Sequence, residues 1–413
     1  MKELKNDMRI AILTLLGLFL MASCTTQPEI AQWRGPQRDG HYPDLKLLKS
    51  WPAGGPQLLW STDTVGDGYG SPVVTKDALF ITGATDSTGY LYSFDLKGKL
   101  QWKVSYGPEW AANFPGSRSA PTVVGDMIYV VSGKGEMSCF NCKDGSKVWS
   151  VNLFSDLHGK NTVFGYSEGL LVNDKMVYCS PGGTDTNVVA LNRMTGELIW
   201  KCKGVGQISA FCSPKILARG KHNILLTFSE LSMLGIDADN GKLLFTHKQD
   251  TVGNVHSNAP IFDNGYLYYV AGDGNRTVKL KLSEDGESIT EIWRCIPFDN
   301  IMGGVVKVGN QLIATGHRKQ ELMALDMESG TVNQQLKIGR GATIYADGMI
   351  YLYDEKGNVH LVDPTGGVLK EVSTFKITKG TKEHFAHPVI GNGKLFIRHG
   401  KSLMAYQIGL TSN

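Results

Sequence analysis

One pattern recurs along most of this chain and restricts what it can fold into. A small residue, an apolar residue and Asp or Asn lead into a turn containing Gly, and an aromatic residue follows a few positions on. The copies are Ser93-Phe94-Asp95 with Gly98 and Trp102, Cys139-Phe140-Asn141 with Gly145 and Trp149, Ala190-Leu191-Asn192 with Gly196 and Trp200, Gly235-Ile236-Asp237 with Gly241 and Phe245, and Ala324-Leu325-Asp326 with Gly330. Weaker copies stand at Asp363 with Gly366 and at Ala405-Tyr406-Gln407, and one ending at Trp293 carries an insertion over residues 283–288. The units open alike, at Ser71-Pro72, Ala120-Pro121, Ser213-Pro214, Ala259-Pro260 and His387-Pro388. Clear successive openings lie 46 to 49 residues apart, the spacing of a repeat whose unit is one small sheet.

Residues 121–153 illustrate the unit. Pro121 to Val124 is short and β-rich, Gly125-Asp126 turns, Met127 to Ser132 is apolar, and Gly133-Lys134-Gly135 turns again. Glu136 to Asn141 and Lys147 to Leu153 then flank a third turn at Lys143-Asp144-Gly145. This predicts a four-stranded antiparallel meander. In its last turn the Asp or Asn side chain can bond the backbone ahead, and Gly can take positive φ. The closing aromatic covers apolar area that one sheet cannot bury alone. The blade anchors are therefore Trp60, Trp102, Trp149, Trp200, Phe245 and Trp293. Glycine, at 49 of 413 residues, agrees with so many tight turns.

The count of units predicts the architecture. Seven complete meanders run from about residue 70 to about 378, and an eighth, starting near Phe385, reaches Asn413 without a fourth strand. Gln57-Leu58-Leu59-Trp60 matches Lys99-Leu100-Gln101-Trp102 yet has no strands before it. The expectation is an all-β, eight-bladed β-propeller of four-stranded antiparallel blades over residues 56–413, closed by the N-terminal strand. Such closure removes two free sheet edges. Seven blades is the alternative, because the fifth and seventh copies are degenerate.

Lys2, Lys5 and Arg9 precede an apolar run from Ile10 to Ala22, too short to span a bilayer comfortably and suited to a secretory signal. Met21-Ala22-Ser23-Cys24 resembles a bacterial lipobox. That resemblance implies a lipoprotein signal peptide over residues 1–23, acylation of Cys24, and a lipid-anchored segment or linker over 24–55. Several acyl chains anchor stably where one does not. With 42 basic and 39 acidic residues, the chain lacks the basic excess of a nucleic-acid binder. Its 42% apolar and 20% charged residues exclude a disordered chain.

The pattern from Ala190 to Trp200 resembles the quinoprotein-type, PQQ-like propeller repeat. Trp33-Arg34-Gly35-Pro36-Gln37-Arg38-Asp39-Gly40 is similar to an N-terminal signature of bacterial PQQ-binding-like propeller proteins. The resemblance covers roughly residues 31–410 and implies architecture more than activity. The lipobox, the length and the eight blades also resemble the BamB lipoproteins, scaffolds of outer-membrane barrel assembly. This implies a non-catalytic binding or scaffold module, monomeric, lipid-anchored in the bacterial envelope at the outer membrane and facing the periplasm, with an envelope protein as partner. Two alternatives stay open: a PQQ-dependent sugar or alcohol dehydrogenase using calcium, and a carbohydrate-binding accessory protein with a glycan as partner. The dehydrogenases resemble one another in an adjacent cysteine pair, calcium-binding carboxylates and amides, and a catalytic aspartate. This chain has no Cys-Cys pair, and none of their functional residues carries over. No catalytic residue, metal or cofactor is therefore expected.

Cys139 and Cys142 form the one Cys-x-x-Cys, without the second pair of a zinc site. Cys139 falls in the small-residue slot and is expected to pack. Cys179, Cys202, Cys212 and Cys295 lie on strand-like segments, their pairing in an oxidising compartment left open. His384 and His387 are expected on a loop rather than at a metal. The segments leading into the innermost strands should surround the mouth of a central channel. There Arg118 and Arg340, with Tyr69, Tyr166, His256 and His387, would form a basic, aromatic rim for a carboxylate, a sugar or a partner's peptide. Phe211 and Met302 hold the equivalent place in other units. Trp33 and Arg34 are expected to fold over the propeller or to serve as a linker.

Overall fold

Eight antiparallel sheets hold nearly all the regular structure of this chain, with a single short 3-10 turn at Thr365–Gly367 among the described residues. The structure is a computed structural model that describes residues 29–249, 255–272 and 276–410. Cys24 and the expected signal peptide lie outside them. Blades 1 to 8 span residues 73–108, 122–152, 171–202, 215–248, 261–295, 306–336, 341–376 and 389–407. Each of the first seven is a complete four-stranded meander, the fifth and seventh included, and the protein is an eight-bladed propeller. Blade 8 takes its outermost strand from Leu58–Thr62, with Trp60 opposite Ala405 and Thr62 opposite Leu403. All innermost strands run from the face where the channel mouth lies to the other, where the turns carrying the recurring Asp or Asn and Gly gather.

The recurring residues meet across blade boundaries. The Asp95 carboxylate accepts from the Lys97 and Lys99 amides at 2.9 Å, and Asn192 and Asp326 do the same in their turns. That turn is presented to the preceding blade. The indole N–H groups of Trp60, Trp102, Trp149 and Trp200 donate to the carbonyls of Leu96, Cys142, Arg193 and Ala238 at 2.9–3.2 Å. Each ring also lies flat against the next blade's turn glycine. A Cβ on Gly98 would sit 2.5 Å from the Trp60 ring, and one on Gly241 2.7 Å from the Trp200 ring. Gly241 has φ +79° besides. Gly241→Ala is therefore expected to lower stability by about 2 kcal/mol or more, from backbone strain and overpacking together, read as a lower urea midpoint.

Two anchors depart from this rule. Trp293 packs on Gly330 but its Nε1 has no partner. The equivalent carbonyl, of Met327, instead accepts from Lys279 Nζ at 3.1 Å. Lys279 stands in the small-residue slot opposite Trp293 and lays its ammonium 4.4 Å from the Tyr266 ring. Phe245, lacking an N–H, packs over Gly235 of its own blade.

Within the segment expected as an anchored stretch or linker, 24–55, the described residues lie against the ring. Ile30–Ala31 pairs antiparallel with the innermost strand of blade 2, and His41–Tyr42 pairs parallel with that of blade 7. Between them the chain crosses the channel. Trp51 then packs on Phe375 and donates its indole N–H to the Val359 carbonyl. The six described cysteines are all unpaired, and five are buried. Cys139 has no accessible surface, as a packing role requires, and burial pushes the Cys139 and Cys142 thiols up to about 12.

Candidate functional site: the channel mouth

Two arginines of the crossing segment secure it inside the ring. Arg34 Nη1 donates to the Thr343 carbonyl at 2.8 Å and Nη2 to that of Val305, reaching blades 7 and 6. On the opposite side, Arg38 donates to the carbonyls of Leu170 and Gly169 and to Gln32 Oε1. Both are buried, and desolvation draws each guanidinium down to about 10, so both stay charged at neutral pH. The Arg34 Nη1 also faces His387 Nδ1 at 3.3 Å, while His387 Nε2 donates to the Met302 carbonyl. Burial, then the Arg34 charge, push His387 down to about 3. It is a neutral imidazole with a fixed tautomer.

On the mouth face the channel opens into a cavity of about 400 Å³, with Trp33 of the crossing segment in its lining. Its wall is an arc of rings. Tyr69, Phe114, Phe164, Phe211 and Phe385 come from four connections between blades and from the lead into blade 1, with neighbouring centroids 5.5–6.5 Å apart. Ser71, Ser119, Ser213 and Ser257, at the starts of innermost strands, supply small polar groups. Glu168 adds a carboxyl that burial raises to about 7, against the lowering effect of bonds from Tyr166 and Ser180 and the charge of Arg38.

Four of the six residues predicted for the rim line this cavity: Tyr69, Arg118, Arg340 and His387. Tyr166 and His256 do not. Tyr166 is buried between blades 2 and 3 with its hydroxyl on Glu168. His256 is buried against the Phe228 ring, its Nε2 3.0 Å from the Glu230 carbonyl. Both residues belong to apolar positions beside the mouth, where covering the blade junction wins over exposure. The rim is also less basic than its composition suggests. Arg340 forms a two-pronged bond to Glu355 at 2.6 and 2.8 Å, and Arg118 donates to the Asn113 and Phe114 carbonyls. His384 lies apart, stacked 3.7 Å from His399. Sequence reasoning placed Tyr69 and Phe211 at the mouth but did not find Glu168 or the other three rings, since Phe114, Phe164 and Phe385 sit in irregular connections without a repeat position.

A carboxylate-bearing quinone with calcium would need unengaged cationic donors and converging oxygen ligands. Arg340 is already paired with Glu355, Arg118 is turned onto backbone carbonyls through Nη2, and among the described residues no group of three or more His, Cys, Asp or Glu could hold a metal. The residues do not fit that cofactor.

A ring of eight meanders around a plugged channel with an aromatic mouth defines a closed PQQ-like propeller. The family model described as "Outer membrane protein assembly factor BamB" matches residues 87–336. The chain belongs to that family. It is 24% identical over 239 residues to the outer membrane protein assembly factor BamB of Yersinia pestis, a match covering 57% of this chain and 56% of that relative's length. Among solved structures it resembles BamB of Moraxella catarrhalis, with a TM-score of 0.63 at 13% identity over 86% of this chain and 99% of that one. It also resembles a quinohemoprotein alcohol dehydrogenase of Comamonas testosteroni, with a TM-score of 0.64 at 12% identity over 91% of this chain and 79% of that one. At such identities the two structural likenesses establish the fold alone.

Proposed function

We propose that this protein is a lipid-anchored, non-catalytic scaffold of outer-membrane protein assembly that holds an envelope protein partner on its mouth face. The family match over residues 87–336 carries the reading. Chain topology supports it. Glu29 lies on the turn face, where its carboxylate accepts from the Lys76 amide and its carbonyl from the Gly125 amide. Cys24 is five residues earlier, a reach of at most about 18 Å. An acyl anchor at Cys24 would turn that face to the membrane and leave the mouth toward the periplasm. There Phe114, 39% exposed, and its neighbouring rings offer apolar contact area to a protein.

Cys24→Ala is expected to move the protein from the membrane pellet to the soluble fraction and to abolish lipid labelling; retention with labelling rejects the anchor. A pull-down from membranes in native detergent should recover a barrel-assembly protein, and Phe114→Ser with Phe385→Ser should reduce that recovery several-fold. Recovery of sugar-processing enzymes in its place would overturn the reading in favour of a glycan-binding accessory.

A further inference from the structure

The mouth cavity contains a buried polar group that the scaffold reading leaves unused. Glu168 lines the cavity and is 2% exposed. Its Oε2 accepts from the Tyr166 hydroxyl and from the Ser180 amide, the latter at 3.1 Å. Its Oε1 has no hydrogen-bond partner. Buried carboxyl oxygens without a donor are uncommon, and one that lines a cavity is placed to accept from a molecule bound there. Two serines of the same cavity lining are set up to donate. Ser213 Oγ accepts from the Gly169 amide and Ser71 Oγ from the His387 amide, both at 2.9 Å, which leaves each hydroxyl proton to be given to an acceptor.

The wall adds an independent sign. Phe114 and Phe211 hold their rings on left-handed backbone, with φ of +53° and +66°. Bulky side chains seldom adopt that conformation, and such strain concentrates at ligand sites. The volume, about 400 Å³, suits a small molecule whose surface is mainly apolar. Each arginine around it has an acidic neighbour. Arg340 is matched by Glu355, Arg38 faces Glu168 from the channel side, and Arg118 faces Glu109. A charged guest would upset that balance in a low-dielectric site.

We propose that this cavity binds an uncharged, ring-containing molecule with one hydroxyl on an otherwise apolar body, the hydroxyl donating to Glu168 Oε1 and accepting from a serine at the cavity floor. The Tyr166 phenol already makes the same bond to the other carboxyl oxygen. The site does not depend on the identity of a protein partner.

Four probes share one phenyl ring and differ in their heads: 2-phenylethanol, ethylbenzene, 2-phenylethylammonium and 3-phenylpropionate. In ligand-detected NMR titrations of the full chain, the alcohol should bind at least fivefold tighter than each of the others. Glu168→Gln retains an acceptor for Ser180 but puts an amide donor where Oε1 stood, and it should narrow the preference for the alcohol over ethylbenzene at least threefold. Phe211→Ala, at a partly exposed ring, should weaken all four, with melting curves confirming that both variants fold. Absence of binding, tightest binding by a charged probe, or an alcohol preference unchanged in Glu168→Gln would each overturn the proposal.

Discussion

Replacing Arg398 by methionine is expected to lower the free energy of unfolding by about 3–5 kcal/mol, because several buried carbonyls lose their donor at about 1–3 kcal/mol each. Arg398 has no accessible surface. It sits on Lys394–His399, the second strand of blade 8, and bolts the closing blade to blade 1. Its Nη1 donates to the carbonyls of Gly70 and Thr82 at 2.9 and 2.7 Å, Nη2 to that of Gly66 at 3.2 Å, and Nε to that of Gly400 at 2.8 Å. Burial draws the guanidinium down to about 10, so it remains a cation at neutral pH. Methionine fills the space and leaves those carbonyls without a donor. Lysine should restore only part of the loss, because one ammonium cannot reach oxygens arranged around a planar fork. Urea unfolding and limited proteolysis at the boundary of blades 8 and 1 report the effect; a loss under 1 kcal/mol would mean that the ring closes without this residue.

Glu168→Gln should do the opposite, raising stability by about 3 kcal/mol at pH 8 and leaving it nearly unchanged at pH 4. The folded carboxyl titrates near 7, against 4.5 for an ordinary glutamate. Between those values the folded state holds a proton that the unfolded state releases. The group's contribution is therefore fully present below 4.5 and is lost as pH rises through 7. Glutamine cannot ionise and escapes that loss, while its amide oxygen can still accept from Ser180. His387 runs the other way. Its folded value near 3 lies below the ordinary 6.5, so its contribution is lost as pH falls from 6.5 toward 3 in both proteins and cancels from their difference. Parallel urea titrations at pH 4, 6 and 8 test the sign; equal midpoints at pH 8 would show that Glu168 is not held in a desolvated site.

The two variants separate what a repeat can announce from what it cannot. The Asp-Gly-Trp spacing identified the meander, and a lone Trp60 strand with an incomplete last unit predicted the closure seen at Trp60 opposite Ala405. Those features are legible because tight turns and period-two strands depend on residues near one another in the chain. The junction chemistry was hidden. That Trp200 lies on Gly241 of the next blade, or that Lys279 takes the carbonyl that Trp293 misses, depends on how neighbouring sheets are set against each other. Arginine is seldom fully buried, yet Arg34, Arg38 and Arg398 all are. Most of their partners are backbone carbonyls, which carry no side-chain signature.

The amino-acid order alone thus determined the sheet unit, its number and the strand that completes the ring, because each rests on local backbone preference and on counting. The path of residues 30–42 through the channel, the neutralised arginines of the mouth and the lone oxygen of Glu168 were decided only when eight sheets closed around an axis. Closure brings together groups more than a hundred residues apart and removes the water that would otherwise have satisfied them, and neither effect can be read from neighbours in the chain.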